Sequence, residues 1–581
     1  MQLNKCQWKI GGAAGFGIAT TGLIFSRICA RGGLKTFAYP EYPSLIRGGH
    51  NTYQVVINEK QATSQLHDVH VLVALNKETV ELHADELISG SAVIFDPHDF
   101  KEQAPTAADK EIVWVPVEMS RMVKEHQSGT VGRNIVGVGA SFALLRYPWE
   151  IVEEVIRDWF GTKKPKVTEL NIALTKAGYD AVKGKYEQFA HRLQSQKQPK
   201  KQLIVSGNTA IALGALKAGM KLYAAYPMTP SSDILGYLSK QERVMNIVVK
   251  HTEDEIAAIN MAIGAGAAGV RAMTATSGGG FALMVEALGM AGIAEVPVVV
   301  VLGQRPGPST GLPTWTSQGD LRFALHASQG EFPRIVLAPG DVEECFYMTF
   351  EAFNLAEKYQ TPVIIIVDKY VQESWQSIPL FDEKQLKIHR GKIIPQKEIV
   401  RENGSFKRHA YTEDGISPRT LPGMQNGAYL SSSYEHDEYG HTTEDEQETI
   451  KQNDKRFQKM QTCIEQDAKA PVLYGPKNAD VTIVGFGSTK LPALETVRLA
   501  QQQNFSVNYL HFVYIDPLPI TAVIDAFKQT KKTLCVEGNK LGQFEGWLKE
   551  QAGIHMDAHV RSYGGRPFYP EALLAKAKKL L

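Results

Sequence analysis

The sequence predicts an α/β protein with three α/β domains in series, on three observations. Apolar runs of strand length recur along the 581 residues, separated by amphipathic or small-residue stretches of helical character. Two polar stretches, 191–202 and 381–474, divide that alternation into blocks at 1–190, 203–380 and 475–581. A hydrophobic fraction of 43% against 22% charged residues is that of a folded chain, so general disorder is excluded.

In the first block, strands are predicted over 71–75, 92–95 and 112–115. The stretch HRLQSQKQPKKQ (191–202) then reads as a solvated linker. The second block carries strand candidates at 203–205, 221–225, 244–249, 272–275, 297–302, 335–337 and 363–367, with Ala/Gly-rich helices between several of them, the pattern of a doubly wound parallel sheet. Segment 381–474, with SSSYEHDEYGHTTEDEQET in its middle, is predicted to be an ordered or partly ordered connection, since a bare loop of that length is unusual in a compact domain. The third block shows strands at 480–484, 507–512 and 533–536.

Charge and cysteine content narrow the function. Lys+Arg 63 against Asp+Glu 62 leaves a net charge of +1, with no whole-chain attraction to nucleic acid or anionic membrane. The strongest apolar run, VPVVVVL, is far too short to span a bilayer, and the N-terminus lacks a signal-peptide core; a cytoplasmic protein is expected. The five cysteines never form a C-x-x-C pair, so this chain is expected to hold no iron–sulfur cluster, structural zinc or disulfide framework.

Six motifs carry chemistry. GGAAGFG (11–17) stands between a strand and a helix and serves either as a tight turn or as an anion-accepting loop. Further on, SLIRGGHN sets Arg47 and His50 beside two glycines, as an exposed turn or as a site. In YPMTPSS (226–232), Pro227 and Pro230 hold Thr229 between them, its hydroxyl suited to a carbonyl, while Ser231 or Ser232 suits a helix cap. In HTEDEIAAINMAIGAGAAG, Thr252-x-x-Glu255 matches a capping box, and acids in a first turn suit the helix dipole. MTATSGGGF brings Gly279 and its neighbours to a strand–helix junction, where they favour close ligand approach or helix–sheet packing. After VPVVVVL, the loop GQRPGPSTGLPTWTSQGDL presents Arg305, a two-pronged carboxylate donor or a solvated cation, together with Thr314.

Taken in order, YPMTPSS, EDEIAAINMAIGAGAAG, TATSGGGF, GQRPGPSTGLPT with QGDL, YEHDEYG and GGRPFYP resemble the α subunit of 2-oxoacid:ferredoxin oxidoreductases with a γ domain fused at its N-terminus, and most of all the 2-oxoglutarate type. The resemblance implies a γ domain, a pyrimidine-binding thiamine domain and a transketolase C-terminal-like domain. It also implies oxidative decarboxylation of a 2-oxoacid to its acyl-CoA with thiamine diphosphate, ferredoxin as acceptor, and CO2 fixation in reverse. Glu255 then falls on the carboxylate that engages the aminopyrimidine ring and promotes the tautomer that deprotonates the thiazolium. Thr229 falls on the 2-oxo group, Arg305 on the C1 carboxylate and Thr314 beside them, while Pro227 and Gly279 line the cofactor. Arg47 and His50 mark a γ-domain site.

The chain lacks a G-D-G followed at a distance by Asn; Gly319-Asp320 is followed by Leu321. Diphosphate, Mg²⁺ and a [4Fe–4S] cluster are therefore expected on a β subunit, in an α2β2 assembly. Pyruvate or a branched-chain or aryl 2-oxoacid is the competing substrate, and a non-catalytic scaffold subunit or a transketolase-like enzyme the competing class.

Overall fold

The computed structural model describes residues 2–45, 48–100, 110–161, 164–402 and 404–581. The chain forms two compact units.

The first unit comprises Met1–Ser206, Glu373–Phe381 and Tyr569–Ala572. Its eight-stranded sheet runs Val113–Pro116, Leu87–Phe95, Val69–Ala74, Lys5–Ala13, His50–Asn58, Lys35–Glu41, Trp375–Ile378 and Leu203–Ser206. The first four strands are parallel and the rest join antiparallel. Trp8, Phe25 and Phe142 stack face to face at the core, with centroids 4.1 and 4.5 Å apart, and the Trp8 indole N–H donates to Ser141 Oγ at 2.9 Å. Two expectations change here. The strand at 203–206, expected to open the second block, pairs with Trp375–Ile378 in this sheet. The connector is not solvated along its whole length, because His191–Arg192 pairs with Gln2–Leu3 and Leu193 is buried.

The second unit comprises Gly207–Gln372, Asp382–Phe568 and Leu573–Leu581. Its larger sheet has the order Val248–His251, Leu222–Ala225, Ala272–Ser277, Val298–Gln304, Pro362–Asp368, Ile335–Leu337 and Tyr514–Asp516, all parallel except the last. Val298–Gln304 is buried along its whole length, as a central parallel strand covered on both faces requires. A five-stranded sheet, Val472–Tyr474, Val507–Phe512, Val481–Phe486, Lys532–Glu537 and Ala558–Arg561, belongs to the same unit. One apolar core explains why: Val300, Leu302 and Ile364 of the larger sheet cluster with Val484, Phe486 and Leu510 of the smaller.

The strand expected over 244–249 starts later, at Val248; Val244 and Met245 lie in the last turn of the helix Ser232–Met245, exposed to solvent. The polar stretch 381–474 contains the helix Glu446–Gln466, whose first turn is capped by the Asp445 carboxylate accepting from the Gln447 and Glu448 amides. Among the described residues, no helix is long and apolar enough to cross a membrane.

Candidate active site

The second unit's large sheet delivers the candidate residues on loops at the carboxyl ends of its parallel strands, where open α/β sheets gather their sites. Leu222–Ala225 leads into Tyr226–Ser231, Ala272–Ser277 into the helix Gly278–Ile293, and Val298–Gln304 into the loop bearing Arg305 and Thr314. The strand Val248–His251 leads into the helix Glu255–Ala267.

Glu255 occupies the first position of that helix and is 4% exposed. The capping-box expectation is corrected. Asp254 is the cap, its carboxylate accepting from the Ala257 amide at 2.8 Å, while the Thr252 hydroxyl donates to the Asp254 carbonyl at 2.8 Å. With its helix-terminal task taken by a neighbour, Glu255 Oε1 lies buried without a hydrogen-bond partner. Such an atom costs about 1–3 kcal/mol, more if charged, unless a ligand satisfies it.

A glycine makes room for this carboxylate. A Cβ on Gly280 would fall 2.1 Å from Thr276 Oγ1 and 2.5 Å from Glu255 Oε1, so only glycine fits beside it. Thr276 Oγ1 in turn lies 4.0 Å from Met228 Sδ, which brings the YPMTPSS loop to the same corner. Gly279 is exposed, and a Cβ added there would meet nothing within 4 Å, so it lies on the open side of the junction. Pro227 is likewise exposed.

Thr229 precedes a cis peptide bond to Pro230. Its carbonyl accepts from Arg305 Nη1 at 2.8 Å, so the two residues meet although 76 positions apart. Ser231, expected as a helix cap, does otherwise: its hydroxyl donates to the Thr276 carbonyl at 3.0 Å and accepts from Gln372 Nε2 at 3.0 Å. Gln372 Nε2 also donates to Asn208 Oδ1 at 2.9 Å, and Asn208 Nδ2 to the Pro230 carbonyl at 2.8 Å. This buried network pins the loop from beneath. Thr314 is buried, with a hydroxyl that has no partner; Ser277 and Thr274 share that condition.

Asp320 escaped the sequence reading, which weighed Gly319-Asp320 only as a fragment of a diphosphate motif. Its amide donates to Gln304 Oε1 at 3.0 Å, and a Cβ on Gly278 would fall 2.8 Å from its Oδ2. The carboxylate therefore lies over the start of the Gly278–Ile293 helix. Burial pushes its pKa up to about 6, against the pull of Arg305. Burial likewise lowers Arg305, with Asp320 acting to raise it.

The C-terminal motif GGRPFYP and the Gly538 backbone support the Arg305 loop. Gly565 of GGRPFYP accepts from the Thr316 amide at 3.2 Å, and the Arg566 guanidinium stacks 3.2 Å above the Trp315 ring. Gln318 exchanges hydrogen bonds with the Gly538 backbone at 2.7 Å in each direction.

His50 belongs to the first unit and ends a chain of buried polar groups; Arg47 lies outside the described residues. His50 Nε2 meets His83 Nε2 at 3.0 Å, His83 Nδ1 meets Glu86 Oε1 at 2.8 Å, and Lys9 pairs with Glu86. Burial, aided by His83 and Lys9, holds the His50 pKa down at about 4, so its imidazole is neutral at physiological pH.

A family model described as pyruvate flavodoxin/ferredoxin oxidoreductase, thiamine diphosphate-binding, matches residues 213–456, and one described as pyruvate ferredoxin/flavodoxin oxidoreductase matches residues 7–181. By these matches the chain carries a thiamine-diphosphate-binding domain of the oxidoreductase class. A 2-oxoacid:ferredoxin oxidoreductase α subunit from Sulfolobus is 35% identical over 98% of this chain and 96% of its own. A 2-oxoglutarate oxidoreductase subunit from Mycobacterium tuberculosis is 29% identical over 94% of this chain and 87% of its own. A solved 2-oxoglutarate:ferredoxin oxidoreductase from Magnetococcus marinus, with 2-oxoglutarate, coenzyme A and succinyl-CoA bound, superposes with TM-score 0.92 at 32% identity over 99% of each chain. The chain belongs to the 2-oxoacid:ferredoxin oxidoreductase family, as an α subunit.

Proposed function

We propose that this chain, with a β subunit, converts 2-oxoglutarate, CoA and oxidised ferredoxin to succinyl-CoA, CO2 and reduced ferredoxin, or runs the reverse. The observation that carries the reading is the bare, buried Oε1 of Glu255 beside Gly280, a hydrogen-bonding atom set next to a space that only glycine leaves open. That pairing fits the aminopyrimidine of thiamine diphosphate, which when bound supplies the carbon nucleophile. Glu255 holds and moves the proton at its Oε1 against that ring. Arg305, braced by the Thr229 carbonyl, keeps guanidinium N–H groups for the C1 carboxylate, and the Thr229 and Thr314 hydroxyls serve the 2-oxo end. Pro227 and Gly279 border the cofactor. Because Arg305 grips the ground state as well as the transition state, its contribution is orientation more than rate.

Diphosphate, Mg²⁺ and the [4Fe–4S] cluster are assigned to the β subunit of an α2β2 enzyme. Expressed alone, the chain should bind no iron and turn nothing over. Co-expressed with its β subunit, it should give a brown protein that reduces ferredoxin with 2-oxoglutarate and CoA. Turnover by the isolated chain would refute the shared site, and a preference for pyruvate would refute the substrate.

A further inference from the structure

Two buried amides outside every motif quoted above stand behind the residues assigned to the 2-oxoacid. Asn208 lies in the first turn of the helix Gly207–Lys217, and Gln372 in the short helix Lys369–Glu373 that follows the strand Pro362–Asp368. They are 1% and 0% exposed. A Cβ on Gly207 would fall 2.2 Å from the Val371 carbonyl oxygen, so the chain meets itself backbone to backbone there and sets the two amides side by side.

Their donors converge on one loop. Gln372 Nε2 donates to Asn208 Oδ1 at 2.9 Å and to Ser231 Oγ at 3.0 Å, and Asn208 Nδ2 donates to the Pro230 carbonyl at 2.8 Å. Pro230 and Ser231 directly follow Thr229, whose carbonyl accepts from Arg305 Nη1 at 2.8 Å. The strand that carries Arg305 abuts the same groups: a Cβ on Gly303 would fall 2.4 Å from Ser231 Oγ and 2.5 Å from Gln372 Oε1. Loop and strand are therefore both seated on Gln372, and the Thr229–Arg305 bond joins them above it.

Packing alone does not account for the glutamine. Its Oε1 is buried without a partner, a cost that an apolar side chain of the same length would avoid. What only the amide supplies is a pair of N–H groups in fixed directions, and Asn208 likewise accepts and donates at once.

We propose that Asn208 and Gln372 are positioning residues for the 2-oxoacid: they hold the Thr229–Ser231 loop, and through the Thr229 carbonyl they aim the Arg305 guanidinium. The inference rests on the reading of Arg305 as the group that receives the C1 carboxylate.

The test is initial-rate kinetics of the complex with its β subunit. Gln372→Met and Asn208→Leu keep the shape of each side chain and remove its hydrogen bonds. Each should raise KM for the 2-oxoacid about tenfold, with kcat within about threefold of wild type and KM for CoA unchanged. Ser231→Ala deletes a single oxygen, so it serves where the larger changes fail to fold, and should raise the same KM about threefold. Adding Gln372→Met to Arg305→Lys separates positioning from general loosening. If the amide acts through Arg305, it should change KM there by less than about twofold, whereas independent effects multiply. An unchanged KM in the single variants, a loss confined to kcat, or effects that multiply with those of Arg305→Lys would overturn the proposal. Variants are compared with wild type on whichever 2-oxoacid the complex oxidises, so a substrate other than 2-oxoglutarate refutes that assignment and leaves this test standing. A complex that oxidises none refutes the reaction, and this assignment with it.

Discussion

Replacing Glu255 by Gln separates the two tasks that meet at the start of its helix. The amide keeps the size of the side chain but cannot hold or pass the proton. Since the first-turn amide of Ala257 is satisfied by Asp254, Glu255→Gln removes no capping bond, and the Tm should stay within about 1 °C of wild type. The loss of an acid–base group should lower turnover by a factor of about 10²–10⁴, or roughly 3–5 kcal/mol in the barrier. Asp254→Ala should show the opposite profile, with stability lower by about 1 kcal/mol and turnover largely kept. The assay is ferredoxin reduction by the complex with its β subunit, beside thermal denaturation of the same preparations. Turnover of Glu255→Gln within about threefold of wild type, a barrier change of only ~0.65 kcal/mol, would refute the reasoning.

Asp320, raised to about 6 from an ordinary 3.8, takes up its proton more readily folded than unfolded; its contribution to stability is full below pH 4 and is lost as pH rises through 6. Neutral Asp320 also leaves Arg305 uncompensated, so KM for the 2-oxoacid should rise as pH climbs through 6, and Asp320→Asn should flatten that rise; a KM profile unchanged in the variant would exclude the coupling. Gly280→Ala should cost about 1–3 kcal/mol and abolish thiamine-dependent activity, because its methyl enters the space of Thr276 and Glu255, as denaturation and turnover would show. Arg305→Lys gives up the planar fork, and initial-rate kinetics should show KM for the 2-oxoacid about tenfold higher with a smaller change in kcat. Glu295→Gln should destabilise by about 3–5 kcal/mol, read in urea, because Lys455 and Lys459 would be left buried without their carboxylate.

What was legible in the sequence was what local pattern dictates. Val298–Gln304 and Pro362–Asp368 announce themselves as unbroken apolar runs, and such runs are strands buried on both faces. The run around Val244 misled because its valine and methionine close an amphipathic helix and face solvent. Leu203–Ser206 was legible as a strand, but its sheet was not, since its partner Trp375–Ile378 lies far along the chain. At the candidate site, motif order singled out Thr229, Arg305 and Glu255 as candidates, whereas Asp254 and Asp320 act through backbone geometry and through space. A capping box and a neighbouring Asp cap look alike in one dimension. Equally, nothing local in HTTEDEQETIKQNDKRFQKM tells that two of its lysines point inward to Glu295.

The first unit's dependence on Trp375–Ile378 has a consequence for synthesis. Domains generally fold as they emerge from the ribosome, N-terminal first. Here the first sheet cannot close when residue 206 appears: Leu203–Ser206 has no neighbour to pair with, and Lys35–Glu41 stays an open edge, until the chain has been read through to residue 378. The nascent N-terminal unit must therefore wait, edge exposed, while most of the parallel strands of the second unit are made.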